Sequence, residues 1–175
     1  MGRPLLWQSL AIFDFSILHG PRWKLRIAAL NTPATHIGKL QRIQNCAAQL
    51  VSRTPKFDHI TPTLKRLHWL PECFRIEYKM LIRTFKAIYG VAPSYICNLI
   101  KIREQTRFNL RSCKELLLEP SRVKTKKTLG DKSFQVAAPG LWNKLPSEIR
   151  AIRSYDHFKR AIKTYLFKKA FACYS

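Results

Sequence analysis

The chain has 175 residues, enough for one ordinary domain with a hydrophobic core. Hydrophobic residues make up 46% of it, which excludes a generally disordered protein. Lys and Arg number 32 against 10 Asp and Glu, and the formal charge of +22 predicts an anionic partner, with nucleic acid favoured over an anionic membrane surface.

Residues 1–30 carry no pattern that defines an element. Their longest uncharged apolar stretch, Pro4 to Phe13, is too short to span a bilayer, and Asp14 interrupts it. A signal peptide would need a small-residue cleavage site, which does not follow cleanly. We therefore treat residues 1–30 as a poorly determined N-terminal segment and expect residues 31–175 to form a single helical domain.

The first helix is predicted over residues 36–53, where apolar residues recur at intervals of three and four. One face of this helix carries Leu40, Ile43, Ala47 and Leu50. The residues that fall away from that face are Gln41, Arg42, Gln44, Gln49 and Ser52. Thr54-Pro55 predicts the end of the helix, because the residue before proline disfavours helical geometry.

A short helix is predicted next, in ITPTLKRLHWLP. Thr61 is a suitable N-cap, Pro62 suits the first helical position, and Pro71 ends the element. A longer helix is predicted over residues 72–89, where a wide apolar stripe indicates the most buried helix of the chain. The stripe consists of Phe74, Tyr78, Leu81, Phe85 and Ile88, widened by Ile76 and Met80. Gly90 is the expected C-terminal cap, and a further short helix is expected from Pro93 to Ile100.

Residues 107–127 lack helical periodicity. ELLLEP is short and apolar, and in SRVKTKK the basic residues alternate with other residues, which predicts an extended strand with one basic face. We expect a small β-hairpin that turns near Pro120-Ser121. Alternate residues of a strand lie about 6.6 Å apart, close to the phosphate spacing along one nucleic-acid strand.

The C-terminal part begins with a helix predicted from Asp131 to Ala138. In FQVAAPGLWNKLP the pair Pro139-Gly140 predicts a bend between two short apolar segments, with Trp142 and Leu145 in the core. Ser147 is expected to cap a turn through Ile152, and Ser154 or Asp156 to cap a last helix. The apolar stripe of this last helix contains Phe158, Ala161, Ile162, Tyr165 and Leu166. The chain is therefore predicted to be mainly α, with about five to six helices and a small β-hairpin near 107–127.

No local pattern indicates catalysis. The six glycines show neither GxGxxG nor GxxxxGK[ST] spacing, and no two acidic residues are adjacent as a metal-dependent polymerase or nuclease would require. The five cysteines are scattered, which is typical of reduced, buried thiols in an intracellular protein. We therefore expect no enzyme activity, no catalytic residue, no metal and no cofactor.

Binding is the remaining class of function. The residues expected to bind nucleic acid are Arg107, Arg111, Arg122, Lys124, Lys126, Lys127, Lys39 and Arg42. Aromatic side chains that could stack on bases are Trp69, Trp142, Phe85 and Tyr89. Each of these aromatics stands in an apolar pattern, so core packing is the favoured role for them.

Three long stretches carry a family resemblance. KLQRIQNCAAQLVSRTPKFDHITPTLKRLHWLP, RIEYKMLIRTFKAIYGVAPSYICNLI and LGDKSFQVAAPGLWNKLPSEIRAIRSYDHFKRAIKTYLFKKAF resemble, in this order, the region that follows the polymerase core in LINE-type, jockey-like non-LTR retrotransposon reverse transcriptases. The resemblance covers roughly residues 31–171. It implies the thumb end and C-terminal region of such a protein.

The resemblance does not extend to the catalytic parts. The catalytic carboxylates of that family lie in a Tyr/Phe-x-Asp-Asp motif of the palm, and this sequence has no Asp-Asp. The endonuclease of the family has no counterpart here either. Residues 1–30 do not resemble the polymerase sequence that precedes this region in the family, which predicts a truncated element. The expected function is that of a catalytically inactive remnant that binds RNA or DNA backbone without sequence preference.

Two alternatives stay open. One is a folded fragment, or a protein-interaction module, with apolar surface uncovered on helices 36–53 and 72–89 and a capacity for self-association. The other is a domesticated nucleic-acid-binding protein of the host. We expect no small-molecule substrate and no membrane partner, and an intracellular location in the nucleus or cytoplasm.

Overall fold

The computed structural model describes residues 34–103, 116–120 and 134–172, and this part of the chain is mainly helical, as predicted. In chain order its helices are α1 (Ala34–Ser52), α2 (Ile60–Arg66), α3 (Glu72–Ile88), α4 (Ser94–Cys97), α5 (Phe134–Asn143), α6 (Ser147–Arg150) and α7 (Tyr155–Phe171). Two of these seven, α4 and α6, are single turns. The N-terminal segment 1–30 and the predicted cap Asp131 lie outside the described residues.

The described residues contain no β-strand and do not support the predicted hairpin. They do contain an antiparallel bridge between Ile102 and Leu118, flanked by two backbone N–H···O hydrogen bonds of 2.9 Å. Residues 117–119 therefore pair with residues 101–103. The pairing satisfies the backbone N–H of Glu119 and the backbone carbonyl of Leu117. The basic strand predicted at 122–126 lies outside the described residues.

The main core lies between α3, α5 and α7, with α3 in the middle. The buried residues of α3 are Met80, Leu81, Thr84, Phe85 and Ala87. The Phe85 ring stacks on Phe158 of α7 with 4.4 Å between ring centroids, and Trp142 of α5 lies 5.6 Å from the same Phe158 ring. The predicted burial of this helix is confirmed, and Gly90 ends it with a φ of 69°, which favours glycine. On residues 72–89 the expected uncovered apolar surface is limited to Tyr89, which is 37% exposed, because α5 and α7 cover the rest of the apolar stripe of α3.

The predicted bend at Pro139-Gly140 is wrong, because α5 continues through both residues to Asn143. Proline inside a helix removes one backbone hydrogen bond and disfavours the preceding turn. Here Ala138, Pro139 and Trp142 are all buried, so packing offsets that local cost. The predicted placement of Trp142 and Leu145 in the core is confirmed, with exposures of 0% and 4%.

Trp142 and Asn143 join α5 to the extended segment 116–118. The Trp142 Nε1–H donates to the Leu116 carbonyl at 2.9 Å. Asn143 accepts from the Leu118 N–H through Oδ1 at 3.0 Å and donates from Nδ2 to the Leu118 carbonyl at 2.9 Å. Leu118 itself is fully buried. These side chains therefore satisfy backbone groups of a segment that has no sheet around it.

α1 packs on α2 and α3 through its polar side. Gln44 is 7% exposed and donates from Nε2 to the Leu70 carbonyl at 2.8 Å. Gln41 Oε1 accepts from the backbone N–H of Glu72 at 2.9 Å, which satisfies one of the free donors at the start of α3. Ala48 is fully buried in a small apolar cluster with Leu64 and Phe171. The predicted helix is confirmed, and its orientation is fixed by these buried amide contacts.

The starts of the shorter helices differ from the predicted caps. α2 has His59 at its N-cap, so Thr61 and Pro62 lie two positions further inside than predicted. Proline is tolerated there because the first backbone N–H groups of a helix have no partner within it. In α6, Ser147 is the first helical residue and not the cap. α4 stops at Cys97, short of the predicted end at Ile100. Ser154 occupies the N-cap position of α7, as one of the two alternatives predicted, but its side chain forms no capping hydrogen bond.

Replacing the amide of Asn143 tests the link between α5 and segment 116–118. Asn143→Ala leaves the buried N–H and C=O of Leu118 without their partners, so we expect the free energy of unfolding to fall by about 1–3 kcal/mol. Urea denaturation measures this change. Asn98→Ala, at an exposed position just after α4, is the matched control and should stay within about 0.5 kcal/mol. Equal losses for both variants would contradict the assignment.

Candidate nucleic-acid interface

Lys39 and Arg42 are the two predicted nucleic-acid-binding residues that lie in the described part of the chain. Both side chains are exposed on α1. Residues three apart on a helix lie on the same side, so the structure brings these two cations together. No Asp or Glu occurs in α1, so no carboxylate of this helix neutralises them. We refer to Lys39 and Arg42 as the α1 basic pair.

The other six predicted residues lie outside the described residues. They are Arg107, Arg111, Arg122, Lys124, Lys126 and Lys127. The structure describes the residues that flank Arg107 and Arg111 in the sequence. Residues 101–103 pair there with residues 117–119. Arg103 and Leu117, on either side of the undescribed residues 104–115, are thus hydrogen-bonded to one another. Lys101 and Arg103 in this pairing are exposed and add positive charge there.

A second basic surface lies on α7 and is missing from the predicted binding residues. Lys159, Arg160 and Lys163 are exposed, and none of them forms an ion pair within the described ranges. Lys159 and Lys163 are separated by about 6 Å along the helix axis, from the rise of 1.5 Å per residue. Their position opposite the buried stripe of α7 is the signal that identifies them in the sequence. We call these three residues the α7 basic face.

The remaining charges near the end of α7 have structural contacts. Lys169 forms an ion pair of 3.2 Å with Glu77 of α3, and its ammonium lies 5.6 Å from the centroid of the Phe74 ring. Lys168 and Lys169 also stand in the last turn of α7, where cations interact favourably with the helix dipole. Lys169 therefore ties α7 to α3 and is not counted in the basic face.

The aromatic residues considered for base stacking are mostly core residues. Trp142 is fully buried and Phe85 is 2% exposed, which confirms core packing for both. Trp69 is half-buried beside the Ala48 cluster. Tyr89 is 37% exposed, but its ring lies 4.5 Å from that of Phe85. None of these four offers an open face comparable to a stacking platform, so positive charge dominates the candidate interface.

The described titratable groups include one ion pair within α3 and one perturbed thiol. Glu72 is paired with Arg75 at 2.6 Å, and the described residues contain no cluster of His, Cys, Asp and Glu that could hold a metal ion. Desolvation raises the pKa of the Cys73 thiol, and the neighbouring Glu77 and Glu72 raise it further. A raised pKa lowers the thiolate fraction, the opposite of what activates a cysteine nucleophile.

The expectation that the cysteines are buried is wrong for two of them. Cys46 and Cys73 are exposed, and Cys97 is half-buried, with all three as free thiols. Cys46 lies on the outer side of α1 because the inner side is occupied by Gln44 and Ala48. Cys113 and Cys173 lie outside the described residues.

α1 also exposes three of the four apolar residues of its predicted face, together with Val51, whereas Ala47, the fourth, is half-buried. The exposed fractions are 44% for Leu40, 66% for Ile43, 80% for Leu50 and 49% for Val51. We call these four residues the α1 stripe. Other described residues cover Leu40 and Val51 in part and leave Ile43 and Leu50 mostly exposed, because the amide side of α1 faces the rest of the fold. In that same part of the chain, none of the helices combines the length and apolar character needed to cross a bilayer.

Comparisons with known proteins add no relative. No protein-family model matches the chain. Neither a curated protein nor a solved structure matches it. The resemblance to retrotransposon reverse transcriptases over residues 31–171 therefore stays a prediction, and arguments about function depend on the surfaces described above.

Two substitutions on α1 test which side of the helix faces the fold. Ala48→Asp places a carboxylate in a fully buried position without a partner, so we expect a loss of more than about 3 kcal/mol in unfolding free energy. Cys46→Asp adds the same group at an exposed position and should change it by less than about 0.5 kcal/mol. Thermal and urea unfolding measure both. Similar losses in the two variants would show that the assigned orientation is incorrect.

Proposed function

We propose that the chain is a catalytically inactive remnant of a non-LTR retrotransposon reverse transcriptase that binds the phosphate backbone of RNA or DNA. The observation that carries this proposal is the distribution of exposed cations. The α1 basic pair has no acid on its own helix, and the α7 basic face has no ion pair among described residues. The net charge of +22 provides the long-range attraction for a polyanion.

The proposed binding is independent of base sequence. Lys and Arg contacts to phosphate position a protein on nucleic acid without reading the bases. The aromatic residues that could have recognised bases are used in the core, as Trp142 and Phe85 illustrate. A surface of this kind favours affinity that depends strongly on salt, because binding releases the counterions condensed on the nucleic acid.

The absence of catalysis is part of the same proposal. The sequence has no Asp-Asp, the pair that the family resemblance implies for the polymerase palm. Within α3, Glu72 and Glu77 are engaged in ion pairs with Arg75 and Lys169. We propose neither a cofactor nor a small-molecule substrate. We place the protein inside the cell, in the nucleus or cytoplasm. RNA and DNA occur there, and the reducing conditions keep thiols free, as Cys46, Cys73 and Cys97 are here.

One observation favours a second candidate function, that of a protein-interaction module. The α1 stripe presents four neighbouring apolar side chains at the surface, an arrangement that marks contact sites. A domesticated host nucleic-acid-binding protein remains the other alternative, since it would use the same basic surfaces. The two nucleic-acid hypotheses differ in cellular role and not in the binding chemistry proposed here.

Filter binding of RNA and of duplex DNA across a salt series tests the proposed function. If about six phosphates are neutralised, the log–log slope of affinity against salt should be near −4 to −5. Affinities for unrelated sequences of equal length should agree. The double variant Lys39→Gln, Arg42→Gln should reduce the magnitude of the slope by roughly two, since two phosphate contacts are lost.

The control for that experiment makes the same change in net charge elsewhere. Lys65→Gln with Arg66→Gln removes two exposed cations from the last turn of α2 and should leave the slope almost unchanged. No binding of the unaltered protein at about 50 mM salt would end the proposal. An equal effect of both double variants would show that the α1 basic pair is not a local contact.

A further inference from the structure

The α1 stripe is an apolar surface whose surroundings restrict what can cover it. Its residues recur along the outer side of the helix from Leu40 to Val51, which is about 17 Å along the axis. Lys39 and Arg42 border it, and α1 contains no acid. The occupant must therefore be apolar and must not bring further positive charge to this border.

A second copy of the chain fits that requirement poorly. Stacking two α1 helices through their stripes would bring Lys39 and Arg42 of one copy to a helix that likewise carries only cations. Like charges close together on packed helices destabilise the contact. Segment 121–133 carries five Lys and Arg against one Asp and would meet the same repulsion. Segment 104–115 carries three Lys and Arg against two Glu, and its large apolar residues are limited to Phe108 and Leu110, too few to cover the stripe.

One segment of the chain has the required composition. Residues 4–21 form its longest stretch without Lys or Arg, and Asp14 is the acid within it. The apolar residues of this segment are Leu5, Leu6, Trp7, Leu10, Ala11, Ile12, Phe13, Phe15, Ile17 and Leu18. In a chain with a charge of +22, this segment combines apolar character with a negative charge and so complements the stripe and its basic border.

We propose that residues 4–18 bind to the α1 stripe of the same chain. The described residues begin with α1 itself, so this segment is tethered directly to the helix that carries the stripe. The 16 peptide units between Leu18 and Ala34 span up to about 50 Å when extended, several times the length of the stripe. A tether of this length gives an effective concentration in the millimolar range, which favours an intramolecular partner over a free one.

This inference goes beyond the proposed function and does not depend on it. Residues 4–18 would cover Ile43 and Leu50, while the ammonium of Lys39 and the guanidinium of Arg42 stay at the border of the contact. Nucleic-acid binding and the intramolecular contact can therefore be measured separately.

Photocrosslinking in the full-length chain tests the contact. Ile43→p-benzoylphenylalanine places the probe in the stripe, and Val91→p-benzoylphenylalanine is the matched control at another exposed apolar position, 71% exposed. A mixture of ¹⁴N- and ¹⁵N-labelled chains distinguishes links within one chain from links between copies. We expect a within-chain link to residues 4–18 from position 43, at least about tenfold more abundant than from position 91.

A variant of the N-terminal segment makes the test independent of the probe. Leu10→Asp with Phe13→Asp should lower the yield from position 43 to that of the control position, and an unchanged yield would overturn the proposal. Links that join ¹⁴N and ¹⁵N chains would assign the stripe to a second copy. Lipid adducts that replace the peptide link in the presence of phosphatidylserine vesicles would assign it to a membrane surface. Equal yields from positions 43 and 91 would also overturn the proposal.

Discussion

The arrangement of the C-terminal half depends on hydrogen bonds between two side chains of α5 and one extended segment. Trp142 and Asn143 hold the backbone of Leu116 and Leu118 at 2.9–3.0 Å, and Leu118 is fully buried between helices. Such a segment can enter a helical core only if its peptide groups find partners. The same turn of α5 places the Trp142 ring beside Phe158, so the polar link and the aromatic core are built from adjacent residues. Segment 116–118 is thereby fixed at the position where the chain pairs with residues 101–103.

The N-terminal half depends on a comparable use of amide groups. Gln41 and Gln44 bond to the backbone at Glu72 and Leu70, which fixes α1 against the start of α3. Because the amide side faces inward, α1 presents its cations and its apolar stripe outward. The buried amide contacts and the exposed cations therefore lie on different sides of one helix. In α7 the arrangement is the usual one, with an apolar side in the core and the basic face outside.

The sequence predicts the helices and buried faces for which the local residue pattern agrees with the tertiary packing. The stripes of α3 and α7 are apolar and meet in one core, so periodicity identifies both helices and their buried sides. In α1 periodicity finds the helix, but the buried side is chosen by hydrogen bonds of Gln44 to a residue 26 positions away, which no local pattern reveals. The bend expected at Pro139 fails for a related reason, since burial of that residue outweighs its local preference. The pairing of 117–119 with 101–103 is equally non-local, so alternation alone could not predict it. Of the expected binding residues, Lys39 and Arg42 are found exposed and adjacent, as the charge pattern indicates.

The proposal that exposed cations of this chain bind nucleic-acid backbone is tested most directly by acetylation of lysines in the full-length protein, with and without RNA, followed by mass spectrometry. Backbone binding through the assigned residues predicts slower acetylation in the complex at Lys39, Lys124, Lys126 and Lys127, and an unchanged rate at Lys65 of α2. The same pattern should appear with RNAs of unrelated sequence, because phosphate contacts do not depend on the bases. The proposal would be contradicted if the protein is bound to RNA under the assay conditions and yet the acetylation rates of Lys39, Lys124, Lys126 and Lys127 are unchanged.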